Sequence, residues 1–508
     1  MAPPLALNPG NPQILLTPEE SKVRNLVVEF CDVFNRANPD RPPVVLRITG
    51  GWVRDKLLGL NSNDIDIGIN NLTGLEFAES LKEFMTKHAE RLGVEIKGIH
   101  KIEKNPEKSK HLETATTNLY GLDIDFVNLR CEEYAGDSRI PTVQFGTPTQ
   151  DAFRRDATLN ALFYNLQEQK IEDFTGRGLQ DLKDGILRTP LDPFETFNED
   201  PLRVLRLIRF SAKYGFPVAD DTLRAMGHPE IKQALIRKIS RERVGVEVSK
   251  MLAQTTKYPE KGLFAIAFLK LEEAIFYVNP ESLVGILPSS NLTELTRTAR
   301  NLEARKVSLH PELQTEFLSD TKHRYSFWLS VPLTQFDGVK ALNEKRRPVP
   351  AVDQVIREGL KLPLHEGNTV LSMFSLKLKI WEAALAVSSN NISRKQLGLL
   401  IREGGEKWKL SVIYSLFWRL SLNQEAEEEL FSKYNSLVSE VYKLGLNTAY
   451  SIKPLINGKE IMDLFKAKGG SWTARAVESV IEMQLEDPQA TKEGLSHKLL
   501  EMRSAILS

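Results

Sequence analysis

The sequence predicts an α+β protein: a small mixed β-sheet with helices at the N-terminus, then an all-helical remainder. Three observations predict it. From Val44 to about Phe174, short runs of period-two alternation take turns with helix-like stretches. After Pro193 the texture changes to long helical periodicity with few strand signals, and this persists to the C-terminus. Between the first apolar run and the acidic strand Asp64-Ile65-Asp66-Ile67 lies Gly50-Gly51, a turn that opens a helix-like stretch.

Each element has its own warrant. Residues 1–16 contain Pro and Asn and read as a loose N-terminus. Thr17-Pro18-Glu19-Glu20 is a helix start, with a Thr cap, Pro at the first helical position and Glu at the third. That helix runs towards Phe34. The strands read as Val44–Thr49, Asp64–Ile69, Val94–Ile102, Leu119–Leu129, Ala161–Asn165 and Ile171–Asp173. The Lys-rich segment Lys101–Gly121 reads as a mobile loop, and Lys101–His111 as a lever that changes a pocket. Turn residues place boundaries near Pro193, Pro280 and Asn423, so the expected domains are 17–190, 191–278, 279–420 and 421–508.

Composition narrows the function classes. The 508 residues have room for about three or four domains. Hydrophobic content of 41% and charged content of 26% are ordinary for a globular protein. No stretch approaches the ~20 apolar residues that span a bilayer, so no membrane partner is expected. The first 18 residues lack Lys and Arg, and neither a secretory nor a transit signal is visible. Cys31 and Cys131 are the only cysteines, which points to a reducing compartment such as the cytoplasm. Sixty-seven basic and 67 acidic residues cancel, so a nucleic-acid surface must be local.

Three clusters carry chemistry. In the first, Asp64 and Asp66 leave one face of a strand. Two close carboxylates repel each other, and Mg²⁺ relieves this by taking oxygen ligands from them, from phosphate and from water. Gly50 and Gly51 leave N–H groups bare at a helix start, where a phosphate can be cradled. Either motif alone is commonly a solvated strand face or a plain turn. Asp125, on the strand Leu122–Val127, is the candidate third carboxylate, although surface alternation explains it equally well. In the second, DAFRRDATLNAL, Arg154 and Arg155 suit a triphosphate, with Asp156 to orient them and Asn160 beside them. An exposed turn with a local ion pair is the alternative.

The third cluster is EDPLRVLRLIR, with Asp200 ahead of Arg203, Arg206 and Arg209. An amphipathic helix with a solvated basic face is the ordinary reading of such a stripe. Base chemistry offers another. Cytosine and adenine each present an exocyclic amine beside a ring-nitrogen acceptor. An Asp accepts from the amine and an Arg donates to the nitrogen. Guanine and uracil reverse both roles and leave buried groups unpaired. A further basic stretch, Lys232–Arg243, reads as one helix that could touch RNA or pack in the neck.

In order, these clusters resemble the class II CCA-adding enzymes (tRNA nucleotidyltransferases) of eukaryotic type, within the polymerase-beta-like nucleotidyltransferase superfamily. GGWVRDKLLG…NDIDI, DAFRRDATLNAL, DFTGRGLQDL, EDPLRVLR and ISRER resemble the five family motifs, and KPLINGKEIM the eukaryotic tail. The resemblance implies a seahorse of nucleotidyltransferase head, neck, body and tail. It implies two Mg²⁺ ions on Asp64 and Asp66, and nucleotide contacts from Gly51, Arg54 and Arg155. It implies base pairing by Asp200 and Arg203, support from Arg206 and Arg209, and a hinge at Asp173 and Gly176. The implied partners are tRNA, CTP and ATP, acting on a monomer, with nucleus and mitochondrion added to the cytoplasm. A class II poly(A) polymerase, or an enzyme adding part of CCA, shares the head motifs. A silent RNA-binding protein of the same fold is the reading from another class.

Overall fold

The computed structural model describes residues 13–60, 62, 64–93, 98, 100–102, 114–133, 141–253, 255–285, 289–319 and 321–507. The chain divides into two compact units, residues 1–251 with 256–275, and 252–255 with 276–508.

The first unit is built on a seven-stranded sheet. Its strands are β1 (Leu46–Thr49), β2 (Ile65–Ile69), β3 (His100–Ile102), β4 (Thr114–Leu119) and β5 (Leu122–Asn128), then, beyond a separate hairpin of β6 (Arg130–Glu133) and β7 (Thr142–Phe145), β8 (Leu162–Asn165) and β9 (Lys170–Asp173). The order is β3-β4-β5-β2-β1-β8-β9. Only β2 and β5 run parallel, and their register sets Asp66 directly beside Asp125. Along β2 the isoleucines Ile65, Ile67 and Ile69 are buried while Asp66 stays open to solvent, as period two requires.

Two helices cover the apolar face. Pro18–Ala37 starts at the expected Thr17–Glu20 capping box, and Gly74–Lys87 at a second one from Thr73 and Glu76. Phe30, Phe77 and Phe126 pack in a row, edge-on and then tilted, with centroids 5.2 and 4.9 Å apart. Glu20 has a second task beyond its cap. Its buried carboxylate accepts from Trp52 Nε1 at 3.1 Å and Lys56 Nζ at 2.7 Å, which anchors the helix Gly51–Leu57 behind the Gly-Gly turn.

Several expectations need correction. Part of the Lys101–Gly121 loop is strand β4, and 103–113 lie outside the described residues. The Thr-rich run Thr114–Leu119 looks polar, yet Ala115, Thr117 and Leu119 alternate into the core. The single strand Leu119–Leu129 is broken by a tight turn with φ of 52° at Tyr120 and 86° at Gly121. Of Val94–Ile102 only His100–Ile102 is described as strand, and 94–97 and 99 lie outside. Nothing in the sequence reading placed the β6–β7 hairpin. The basic stretch Lys232–Arg243 is two helices, Pro229–Lys238 and Arg241–Leu252, parted at Ile239-Ser240.

The second unit is helical, with one short antiparallel ribbon of Leu283–Val284, Lys340–Leu342 and Pro348–Pro350. Its longest helix, Leu364–Ser388, packs on Trp408–Leu422 and Glu427–Lys443. Trp381 stacks on Tyr434 at 6.1 Å, and Tyr434 shares a 2.8 Å hydrogen bond with Ser415. Towards the C-terminus Ile461, Phe465, Trp472, Val480 and Leu499 form a separate cluster. The Asn-Gly-Lys-Glu of the tail motif is a capping box, with Asn457 and Glu460 starting the helix Gly458–Phe465. Among the described residues no helix is long and apolar enough to cross a membrane.

Gly74 tests how the head is closed. A Cβ there would sit 2.0 Å from the carbonyl oxygen of Phe126. Gly74→Ala is expected to push the helix off β5 and cost about 3 kcal/mol in denaturant unfolding. An unchanged unfolding midpoint would show that this contact does not hold the helix to the sheet.

Candidate active site: an acid-lined and arginine-rich cleft

An open cleft of about 480 Å³ lies within the first unit. Its wall unites the three sequence clusters. Gly50, Gly51, Arg54, Asp64 and Asp66 come from the β1–β2 region. Arg154, Arg155, Asp156 and Asn160 follow the helix Pro148–Phe153, and Asp200, Arg203, Arg206 and Arg209 come with the helix Leu202–Tyr214. Asp125, Asp173 and Gly176 are not among its lining residues. Asp173 instead closes a local turn, accepting from Thr175 and from the Leu179 amide at 3.0 Å, with Gly176 at φ 67°.

Asp64 and Asp66 both face solvent at the cleft floor. The crowded surroundings push the Asp66 carboxyl up to about 6, first through lost hydration and then through the charge of Asp125. Arg155 opposes this, Asp64 adds to it, and Arg130 opposes it again. Asp125 itself accepts from Thr116 Oγ1 at 2.5 Å. Among the described residues no three acidic, His or Cys groups are placed to hold an ion alone. The donor set therefore fits a hard cation that draws its remaining ligands from phosphate and water.

The arginines are not a solvated stripe. Each is held by a buried acid. Asp151, 2% exposed, takes Arg154 on one oxygen at 2.7 Å and Arg155 on the other at 2.8 Å. Burial raises the Asp151 carboxyl, but Arg155 and Arg154 outweigh it and hold the group well below the usual carboxylate range. Asp156 is buried likewise, and Arg206 at 2.6 Å with Asn160 at 2.8 Å more than offsets its desolvation. Arg209 pairs with Glu247 at 2.6 Å and lies 4.3 Å over the Phe210 ring. Arg54 donates to Asp55 at 2.8 Å and to Asn160, and stacks on Tyr214 at 4.9 Å.

Gly50 has φ 71°, and a Cβ there would lie 2.9 Å from Arg155 Nη1. Glycine thus lets the Gly-Gly turn and the Arg155 guanidinium approach each other. Asp200 is fixed on both oxygens, by the Leu202 amide at 3.2 Å and by Arg243 at 3.0 Å. Arg203 is 7% exposed and donates to Thr196 O at 3.2 Å, to Glu199 at 3.2 Å and to Arg154 O at 2.7 Å.

Sequence reasoning missed Arg130, Glu132, Phe210 and Arg243 as cleft residues, and Asp151 and Glu247 as the acids behind it. Of these, Asp151 begins the stretch DAFRRDATLNAL and Arg243 ends ISRER, while Arg130, Glu132, Phe210 and Glu247 stand in none of the quoted motifs. For Asp151 a signal existed, because it stands three and four residues before the two arginines it holds.

Residues 46–188 match the family model described as Poly A polymerase head domain. Over 510 aligned residues the chain is 38% identical to the mitochondrial CCA tRNA nucleotidyltransferase of Saccharomyces cerevisiae, spanning 95% of this chain and 93% of that one. The chain belongs to the CCA tRNA nucleotidyltransferase family. The mitochondrial member from Candida glabrata is also 38% identical, across 95% of each chain. The CCA-adding enzyme of Bacillus stearothermophilus in complex with CTP superposes with a TM-score of 0.62 at 18% identity, covering 96% of this chain and 99% of that one, a likeness of fold. CCA tRNA nucleotidyltransferases are α+β proteins with a sheet-containing head and a helical remainder, as found here, and nucleotidyltransferases of this kind are generally metal-dependent.

The raised Asp66 carboxyl has a stability consequence. The folded state holds that proton more tightly than the unfolded chain, whose aspartates titrate near about 4. Without a cation, stability is therefore gained as pH falls through about 6, and the charge crowding costs stability above it. Asp66→Asn is expected to raise the melting temperature of chelator-treated protein at neutral pH by about 3 °C. A cation held there would relieve the same crowding, so this variant should also lose any stabilisation that added Mg²⁺ gives the natural chain. A lower melting point for this variant in chelator would contradict the account of crowding.

Proposed function

We propose that this chain adds C, C and A to the 3′ end of tRNA without a nucleic-acid template, using CTP and ATP and releasing pyrophosphate. The observation that carries this reading is the joining of Asp64/Asp66, Arg155 and Asp200/Arg203 around one cleft, in a chain alike along its length to CCA tRNA nucleotidyltransferases. Asp64 and Asp66 would hold two Mg²⁺ ions, which would supply charge neutralisation on the triphosphate and a lowered pKa for the ribose 3′-OH. Asp125, next to Asp66 in register, is the candidate third carboxylate.

The protein's own groups position and neutralise. Arg154, Arg155 and Arg54 grip phosphate oxygens, and Asp151, Asp156 and Asn160 keep their forks aimed before the substrate arrives. Asp200 presents carboxylate oxygens to the exocyclic amine of C or A. Two of its roughly four lone-pair sites are used by Leu202 and Arg243, so acceptor capacity remains. Arg203 supplies N–H to the ring nitrogen. Three hydrogen bonds hold it, and a guanidinium has about five donors. Arg206 and Arg209, locked by Asp156 and Glu247, keep the helix face rigid. Asp173 and Gly176 are assigned to a hinge between head and neck. The helical second unit holds the acceptor arm of tRNA by shape and phosphate, since side chains read double-stranded RNA poorly.

Single-nucleotide extension tests this. With Mg²⁺ and a tRNA ending before CCA, two additions from CTP and one from ATP, then a stop, are expected. Long A-tails would make it a poly(A) polymerase, and bound tRNA without extension a silent RNA-binding protein. Asp66→Ala should lower turnover by at least about a thousandfold while tRNA binding persists. Substantial turnover in that variant would remove Asp66 from the chemistry. Asp200→Ala should relax the exclusion of UTP and GTP about tenfold or more before chemistry fails. Undiminished exclusion would remove Asp200 from base selection.

A further inference from the structure

Glu132, in the β6–β7 hairpin, belongs to no motif the sequence displays, yet its side chain is only 6% exposed at the cleft wall. One oxygen accepts from Arg130 Nε at 2.7 Å and from Arg154 Nη1 at 3.1 Å. The other lies 3.8 Å from Arg203 Nη2. The three guanidinium groups arrive from different places: a strand, the end of the helix Pro148–Phe153, and the helix Leu202–Tyr214. Arg154 and Arg203 are already neighbours, because Arg203 Nη2 donates to the Arg154 carbonyl at 2.7 Å.

Three cations this close and this dry repel one another. Arg130 registers it, its guanidinium being destabilised by burial and then by Arg154. Asp151 offsets part of the charge on Arg154, and Glu199 part of that on Arg203. Glu132 is the acid that faces all three.

We propose that Glu132 is the positioning residue that ties the triphosphate end of the nucleotide site to its base end, by holding Arg154 and Arg203 in one fixed geometry. This rests on the reading of the cleft as a CCA-adding site. Its consequence is specific. A pocket that excludes U and G must hold its Arg donor still, since a donor that can swing finds another acceptor. Base selection is then tied to correct seating of the triphosphate, although Glu132 itself touches neither.

Glu132→Gln separates this from a packing role. The amide keeps the volume and one acceptor but removes the charge and turns an N–H towards a guanidinium. The expected result is a kcat/KM ratio of CTP over UTP that falls about tenfold, with KM for CTP rising. A second readout needs no turnover: titration of CTP and UTP into the chelator-treated full chain should show the same narrowing of their affinities. Combining it with Arg203→Lys should cost less discrimination than the two singles together, as expected of one network. Glu132→Asp, which keeps the charge but shortens the reach, should lose less in the same direction, and it carries the test if the Gln variant fails to fold. Loss of activity with an unchanged CTP/UTP ratio, or no change at all, would overturn the proposal. A natural chain that itself fails to prefer CTP over UTP would instead overturn the CCA-adding reading, whatever the Glu132 variants do.

Discussion

Buried carboxylates holding guanidinium groups in place are the constraint on which the site depends. Asp151, Asp156, Glu132 and Glu247 are each almost fully withdrawn from water, and each grips at least one arginine of the cleft. Such pairs contribute little net stability, because desolvation consumes much of the Coulomb gain. What they provide is geometry. A guanidinium locked on its inner side presents its remaining N–H groups outward in a fixed fork, and a polyanion meets donors that need not reorganise.

The sheet sets the opposite wall. Pairing β2 parallel to β5 brings Asp66 beside Asp125, and the pleat turns Asp64 and Asp66 to the same face. The carboxylates of Asp66 and Asp125 have no ion-pair partner of their own at short range among the described residues, whereas the acids behind the arginines are each paired. The folded head bears this as an elevated Asp66 carboxyl, a cost that a cation held there would relieve. Function and stability pull against each other at that strand.

Much of this was legible in the sequence. The Gly-Gly turn, the Asp64/Asp66 alternation, the Thr17 capping box and the Arg154-Arg155 pair follow from local patterns. Local physics also dictates the helix ending at Gly215, with φ 80°. The β6–β7 hairpin was not legible, because β6 is short and charged and its partner does not follow until Thr142, and only the structure shows Gly146 packed so closely that a Cβ would meet the Arg130 backbone. The stripe Arg203, Arg206 and Arg209 has the periodicity of a solvated face. Only tertiary structure reveals that Glu132, Asp156 and Glu247, from distant segments, pair with it.

The central claim is that protein side chains alone, without RNA, choose cytosine and adenine. Equilibrium binding of the four nucleoside triphosphates to the full chain with Mg²⁺, in the absence of tRNA, tests it most directly. CTP and ATP are expected to bind at least about tenfold more tightly than UTP and GTP. Equal affinities for all four would place the choice elsewhere and contradict a base-reading role for Asp200 and Arg203.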